Sequence, residues 1–465
     1  MVTAARYIPH ARGLLVLGLP LIGSHIAQIV IGITDAMMLG WYDADALAAV
    51  TLGHSTWFIF FIVGSGFAMA VMPMVASAAA AGEPTQVRRV TRMGMWLSVL
   101  YGAAVMVPLF WSEALLLAID QPPKIAALAQ TYLRFAALGM VPALLVMVLK
   151  SYLSALERTQ PVLWITVSTA VLNAALNYVL IFGNFGAPEL GLEGAAIASV
   201  AVHVGGLIAF CLYAARVTPE HRLFSRIWRI DTGAFAQVFR LGWPIGLTVL
   251  CEAGLFSASA IMMGWLGALP LAAHGVALQL ASLSFVLHLG LSQAATVRAG
   301  TAYARRDFVS LREGGQTAML LSLGFALVTM FLFLAIPQVL VGAFIDPTDP
   351  AQPEILAIGV GLLAVAAAFQ VVDGLQVVAL GLLRGLQDMR APMWVAAFSY
   401  WAIGAPVGYY LGIALGFGGK GVWFGMVAGL LVAAVALSAR FMWHLRRLEA
   451  GQQEPPASAS TDFPA

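Results

Sequence analysis

Twelve runs of mostly apolar residues, each more than twenty positions long, follow one another at approximately 14–40, 47–74, 93–119, 128–150, 162–182, 194–215, 241–266, 271–297, 316–342, 355–381, 392–415 and 421–443. A helix needs about 20 such residues to cross a bilayer, whereas barrel strands alternate over about 10. Of the 465 residues 61% are apolar and only 10% are charged, against roughly 25% charged in soluble domains. So few charges cannot cover a water-facing surface of this size. A soluble enzyme, a nucleic-acid binder and a disordered chain are excluded together. The pattern predicts an all-α polytopic membrane protein with twelve transmembrane helices.

The net charge of +2 is uninformative, but the placement of charge is not. With the N-terminus inside, the inner segments hold 21 of the 24 basic residues, from Arg6 and Arg12 through Arg446 and Arg447; Lys124, Arg134 and Lys420 fall outside. Positive charge marks cytoplasmic loops, so both termini are expected in the cytoplasm and the number of spans is expected to be even. Of the 22 acids all but three lie in loops or at the ends. Asp35, Glu252 and Asp373 stand inside spans, with no basic residue at mid-span beside them.

The halves of the chain repeat one another. Leu17-Gly18-Leu19-Pro20 matches Leu241-Gly242-Trp243-Pro244, and Gly40-Trp41 and Leu47-Ala48-Ala49 then match Gly264-Trp265 and Leu271-Ala272-Ala273 without a gap. Gly194 and Gly421 open the sixth and twelfth spans. Two six-helix lobes, 1–215 and 241–447, are expected to be joined by a basic cytoplasmic linker at 216–240, with a disordered tail at 448–465. Repeats of this kind place a transported ligand between them. Cys211 and Cys251 lie in apolar runs and offer neither a disulfide framework nor a zinc cluster.

An ionised side chain in hydrocarbon is costly, so each intramembrane acid is a candidate functional residue. Helical spacing puts Gln28 and Gly32, with His25 a turn further back, on the face of Asp35. Thr248 and Ser259 share the face of Glu252, and Gln370 and Gln376 that of Asp373. The fifth span carries Thr166, Thr169, Asn173 and Asn177 at the same period. Such stripes face protein or water, not lipid. Acids without cationic partners can carry a proton, or their grouped oxygens can coordinate Na⁺, and either ion can compete with a cationic substrate. ATP is not expected as the energy source. The candidate phosphate loop at 416–421 has Ala414 where the first glycine is required, and it lies at an outer turn.

Together Leu-Gly-Leu-Pro at 17–20, Ile33-Thr34-Asp35-Ala36-Met37-Met38-Leu39-Gly40, Asn173 with Asn177, Leu192-Glu193-Gly194-Ala195-Ala196, Glu252 and Gln370-Val371-Val372-Asp373-Gly374-Leu375-Gln376 resemble the MATE (multidrug and toxic compound extrusion) family, in its bacterial NorM-type branch. The resemblance spans about 10–445. It implies a two-lobed exporter of the bacterial inner membrane, not an enzyme, that needs no cofactor beyond a coupling H⁺ or Na⁺. Organic cations such as dyes and fluoroquinolone-like drugs are the implied substrates, membrane lipid the surroundings and a monomer the working unit. It further implies an N-lobe ion and substrate network of Asp35, Asn173 and Asn177, and a C-lobe cation site, open to Na⁺, at Glu252 and Asp373. A lipid-linked oligosaccharide flippase of the same superfamily is the alternative; about fourteen spans and basic cavity residues would mark one. An intramembrane prenyl-transfer enzyme would need Mg²⁺-holding carboxylate clusters, and Asp43 with Asp45 reads instead as an outer turn.

Overall fold

The computed structural model describes residues 2–453 apart from 349. Every regular element among the described residues is helical. The first half holds α1 (Val2–Tyr42), α2 (Ala44–Ala80), α3 (Pro84–Phe110), α4 (Ser112–Ala118), α5 (Pro123–Leu138), α6 (Met140–Ala155), α7 (Thr159–Phe182) and α8 (Gly191–Val217). The second holds α9 (Thr232–Leu266), α10 (Ala268–Ala304), α11 (Phe308–Ala335), α12 (Pro337–Gly342), α13 (Gln352–Gly385), α14 (Arg390–Phe398), α15 (Ala405–Tyr409) and α16 (Gly418–Gln453).

All twelve expected spans appear, ten of them as single long apolar helices. The fourth is the pair α5 and α6, bent by 46° at Gly139. Pro142, in the first turn of α6, has no N–H to bond back across the joint. The eleventh, 390–414, is helical throughout, with π-helical turns at Ser399–Gly404 and Tyr410–Ala414 on either side of α15. The third and ninth spans end sooner than expected. Trp111 and Ile336 leave helical geometry, and the short helices α4 and α12 follow at equivalent places in the two halves. Pro337 suits the first turn of α12, where no N–H is needed.

The repeat is visible in these details. Pro20 and Pro244 lie inside α1 and α9. A Cβ on Gly194 would meet the Leu180 carbonyl oxygen at 2.4 Å, and one on Gly421 would meet the Gly412 nitrogen at 2.6 Å, so each sixth helix starts hard against the end of its predecessor. Along α16, Gly421, Gly425 and Gly429 oppose Gly412, Gly408 and Gly404, close enough that a Cβ on Gly425 would lie 2.2 Å from Gly408 Cα. Small residues let membrane helices approach in this way.

The connection between the lobes is shorter than expected, because α8 runs to Val217 and α9 starts at Thr232. Arg92 of α3 pins it, donating to the carbonyls of Leu223 (2.7 Å), Arg222 (2.9 Å) and Ser225. Helix α16 continues through Gln453, beyond the point where disorder is expected, and Arg312 pairs with Glu449 along it. The rest of that expected tail, 454–465, lies outside the described residues.

The lobes meet chiefly where α2 packs on α9 and α1 on α10. Among the described residues, most of the bonds that cross between them lie toward the end of the bundle rich in basic residues, and His25 of α1 also bonds Gln293 of α10 across the boundary. Tyr7 donates to Gln316 (3.0 Å), Ser77 to the Gly300 carbonyl (3.3 Å), Arg298 pairs with Glu157 (3.6 Å) and Arg6 pairs with Glu313.

Candidate functional site

In the first lobe α1, α7 and α8 converge on Asp35. Asn173 and Asn177, one turn apart on α7 and fully buried, present their amides side by side as the spacing predicts. Asn173 Nδ2 donates to Asp35 Oδ1 at 3.0 Å and Asn177 Nδ2 to the same oxygen at 2.5 Å. Ser199 of α8, which the sequence reading did not single out, donates to Oδ2 at 3.4 Å. Three donors on two helices thus hold one carboxylate. Gln28 is placed differently from the other members of the set. It is exposed, two turns from Asp35, and hydrogen-bonds with His25, which also bonds Gln293 of α10 across the lobes. Thr166 lies deeper, accepting from Ser24 at 3.1 Å.

In the second lobe Glu252 of α9 and Asp373 of α13 act on each other electrostatically. Asp373, Gln370 and Gln376 are buried, as their common face predicts. Thr248 and Ser259 also face the interior, but each donates to a carbonyl of its own helix, at Pro244 and Phe256. Gln370 Nε2 reaches the Ala281 carbonyl at 3.4 Å. Tyr400, fully buried at a π turn, lies in the field of both acids.

Two features correct the sequence picture. Arg384, in the last turn of α13, brings a positive charge within range of Glu252, and Lys150 does the same for His25, so the interior has basic neighbours at its edge. His288 of α10 is pressed against the backbone beside Asp373. A Cβ on Gly374 would lie 2.6 Å from its Cε1, and its Nδ1 pairs with Ser322 Oγ at 2.9 Å.

The donor set bears on which ion could bind. Glu252 Oε1, Asp373 Oδ1, Gln370 Oε1, Gln376 Oε1 and Tyr400 Oη are buried without a protein partner. Leaving a buried polar atom unpaired costs about 1–3 kcal/mol. Gln376 Nε2 and His288 Nε2 beside them are likewise buried without a partner; the oxygens of the set suit a proton or a hard cation such as Na⁺. Among the described residues no three His, Cys, Asp or Glu side chains gather as a transition-metal site would require.

Comparison with known proteins agrees in sequence and in shape. The MatE family profile matches residues 20–179 and 244–410. A probable multidrug resistance protein NorM from Rhizobium meliloti (strain 1021) is 46% identical over 443 residues, 95% of each chain. A protein of the same name from Pseudomonas putida is 36% identical over 444 residues, 94% of this chain and 95% of its own. Among solved structures, a MATE protein in its straight conformation superposes with a TM-score of 0.85 at 17% identity, covering 95% of this chain and 97% of that one. An outward-facing multidrug resistance MATE family transporter gives 0.84 at 19% identity, covering 96% and 97%.

Proposed function

The chain belongs to the MatE family, and from that premise we propose that it is a secondary active multidrug efflux transporter of the bacterial inner membrane, exchanging H⁺ or Na⁺ for cationic amphipathic drugs and dyes by alternating access. The observation that carries this reading is the presence of interior carboxylates in both lobes, each set among amide and hydroxyl groups. Glu252 and Asp373 carry two negative charges when ionised, and Arg384 returns one positive charge. The cluster is then one charge short of neutral, which suits a single monovalent cation. Like charges in low dielectric do not both persist without compensation, so loss of that cation restores a repulsion the surrounding helices can answer by moving. In the other lobe a cation that engages Asp35 has to share it with Asn173, Asn177 and Ser199.

The lobes, taken as 1–215 and 241–447, meet at the basic end, which the charge bias assigns to the cytoplasm together with both termini. Bonds that join the lobes at that end suit a state in which an exporter opens on the opposite side to release its load. A flippase for phosphate-linked sugars calls for basic residues in the cavity, and the buried acids favour cations instead. The test is efflux of a fluorescent organic cation from proteoliposomes, with pH and Na⁺ gradients imposed separately. One gradient should drive export; failure of both, with the protein folded and inserted, overturns the reading.

A further inference from the structure

At the basic end of the bundle a cavity of about 330 Å³ opens between the lobes, lined by Ser77 of α2, Gln237 and Arg240 of α9, Tyr303 of α10, and Leu386 with Gln387 just beyond α13. Its size is at the lower limit for small-molecule pockets, enough for a headgroup. Its chemistry leans one way. Amide, hydroxyl and guanidinium groups line it beside the apolar Leu241, Ala304 and Leu386, and no carboxylate does. Arg240, like Arg88 and Arg229, makes no ion pair with any described acid, so its charge is open to a ligand.

Two points of the wall are fixed, while Gln237 and Arg240 are exposed and reach in from α9. The Gln387 backbone is held in a left-handed turn, φ 59°, by its N–H to the Arg384 carbonyl at 2.9 Å. Ser77 reaches across to the Gly300 carbonyl. One wall belongs to the first lobe and the others to the second, so the cavity is complete only while the lobes touch at this end.

We propose that this cavity is an anion site that takes a phosphate group, bound chiefly by Arg240, and that its occupancy favours the arrangement in which the lobes meet at the basic end. A guanidinium matches phosphate in a planar two-point contact that the Gln237 and Gln387 amides and the Tyr303 hydroxyl can extend. A ligand that needs both lobes stabilises the closed arrangement by its differential affinity for it. The phosphate can come from an anionic lipid of the adjacent leaflet or from solution.

The test uses the full chain in nanodiscs of phosphatidylcholine alone, of phosphatidylcholine with phosphatidylglycerol, and of phosphatidylcholine with inorganic phosphate added at constant ionic strength. Two quantities are read: the melting temperature, and the distribution of distances between spin labels at Glu83 and Arg305. An anion at the site raises the melting temperature and shifts the closed-to-open ratio by roughly fivefold or more. Response to phosphatidylglycerol alone assigns the source to lipid, and response to free phosphate assigns it to solution. Arg240→Gln should abolish the response, Arg240→Lys should weaken it, and Arg229→Gln, on the connection outside the cavity, should keep it. No response in either arm, or an equal response in Arg240→Gln, overturns the proposal. Neither readout depends on ion-driven export, so failure of the transport reading would leave this result standing.

Discussion

The Cβ that Gly66 lacks would lie 2.4 Å from the carbonyl oxygen of Gly242, across the boundary between the lobes. It would be equally close to the Gly246 nitrogen. Both obstacles are backbone, so no rotamer change relieves them. Gly66→Ala should disfavour contact of α2 with α9 by about 1–3 kcal/mol. Export should fall on the order of tenfold, while a cysteine at Ser77 becomes more reactive from the basic side. Gly324→Ala, on α11 outside both acid sites, is the control, since nothing lies within 4 Å of its added carbon. Wild-type export and labelling in Gly66→Ala would show that the crossing is not needed.

Asp35 serves as a pure acceptor for three donors. Asp35→Asn puts an NH₂ group among them and should abolish drug tolerance in a sensitive bacterium without loss of membrane insertion. Ser199→Ala removes a single 3.4 Å bond between helices, worth about 0.6 kcal/mol; tolerance should drop slightly. Resistance measured beside protein abundance separates the two. If Asp35→Asn retained full tolerance, the first-lobe network would be structural.

If Glu252 and Asp373 hold one cation together, their substitutions do not add. Glu252→Gln and Asp373→Asn should each abolish gradient-driven efflux, and the double variant should be little worse than either. Proteoliposome flux checks this. Full activity in both single variants would move coupling to Asp35.

Much of the site could be read from period alone. Asn173 and Asn177 advertise a shared face, as do Gln370, Asp373 and Gln376, because polar residues three or four apart in an apolar helix have nowhere else to point. Ser199 gave no such signal, since one serine in a helix of alanines has no period. Arg384 counts as a loop residue by position, yet its long side chain brings its charge back within range of Glu252. Span count follows from hydropathy, but the bend at Gly139 depends on how a Gly and a nearby Pro are packed, which hydropathy averages away.

Arg92 ties the inter-lobe connection down through carbonyls, and Trp96 adds a bond to the Ile227 carbonyl at 2.7 Å. Arg92→Ala should speed trypsin cleavage at Arg222, Arg226 and Arg229, which are already exposed, by freeing their backbone to fit the protease. Arg92→Lys should fail to rescue, because a point charge does not span several acceptors as a guanidinium does. Digestion of inside-out vesicles followed by peptide mapping gives the answer. Unchanged cleavage in Arg92→Ala would mean the connection holds itself.

Asp231 caps α9 through the Ala234 N–H at 2.9 Å and accepts from Arg89 at 2.6 Å. The Arg89 guanidinium first, and then the capping amides, hold its carboxyl below the usual carboxylate range. A depressed value in the folded state means the contribution is full above the unfolded value of about 3.9 and is lost as pH falls through the folded one. Melting temperature should therefore drop on acidification below that range by less in Asp231→Ala than in the wild type. At neutral pH the variant should lose about 0.5–2 kcal/mol for the missing cap. Parallel acid curves for the two would remove this residue from the pH response.

The wide turns at Ser399–Gly404 and Tyr410–Ala414 have an angular consequence. An ordinary helix carries every fourth residue about 40° further around its axis, so Gly404, Gly408 and Gly412 would wind away from a straight neighbour. A turn that closes its bond five residues on fits more residues into each revolution and rotates the row back. Tyr400 takes its bearing from the same adjustment. Deleting one residue within 399–404 would restore ordinary winding there; because the wide turn accommodates that extra residue, the flanking rows stay in register and the side chains within the turn, the Tyr400 phenol among them, change bearing. Its azimuth is set by a residue count, so the chain can retune this hydroxyl by a single insertion or deletion and leave every side chain in the row unchanged.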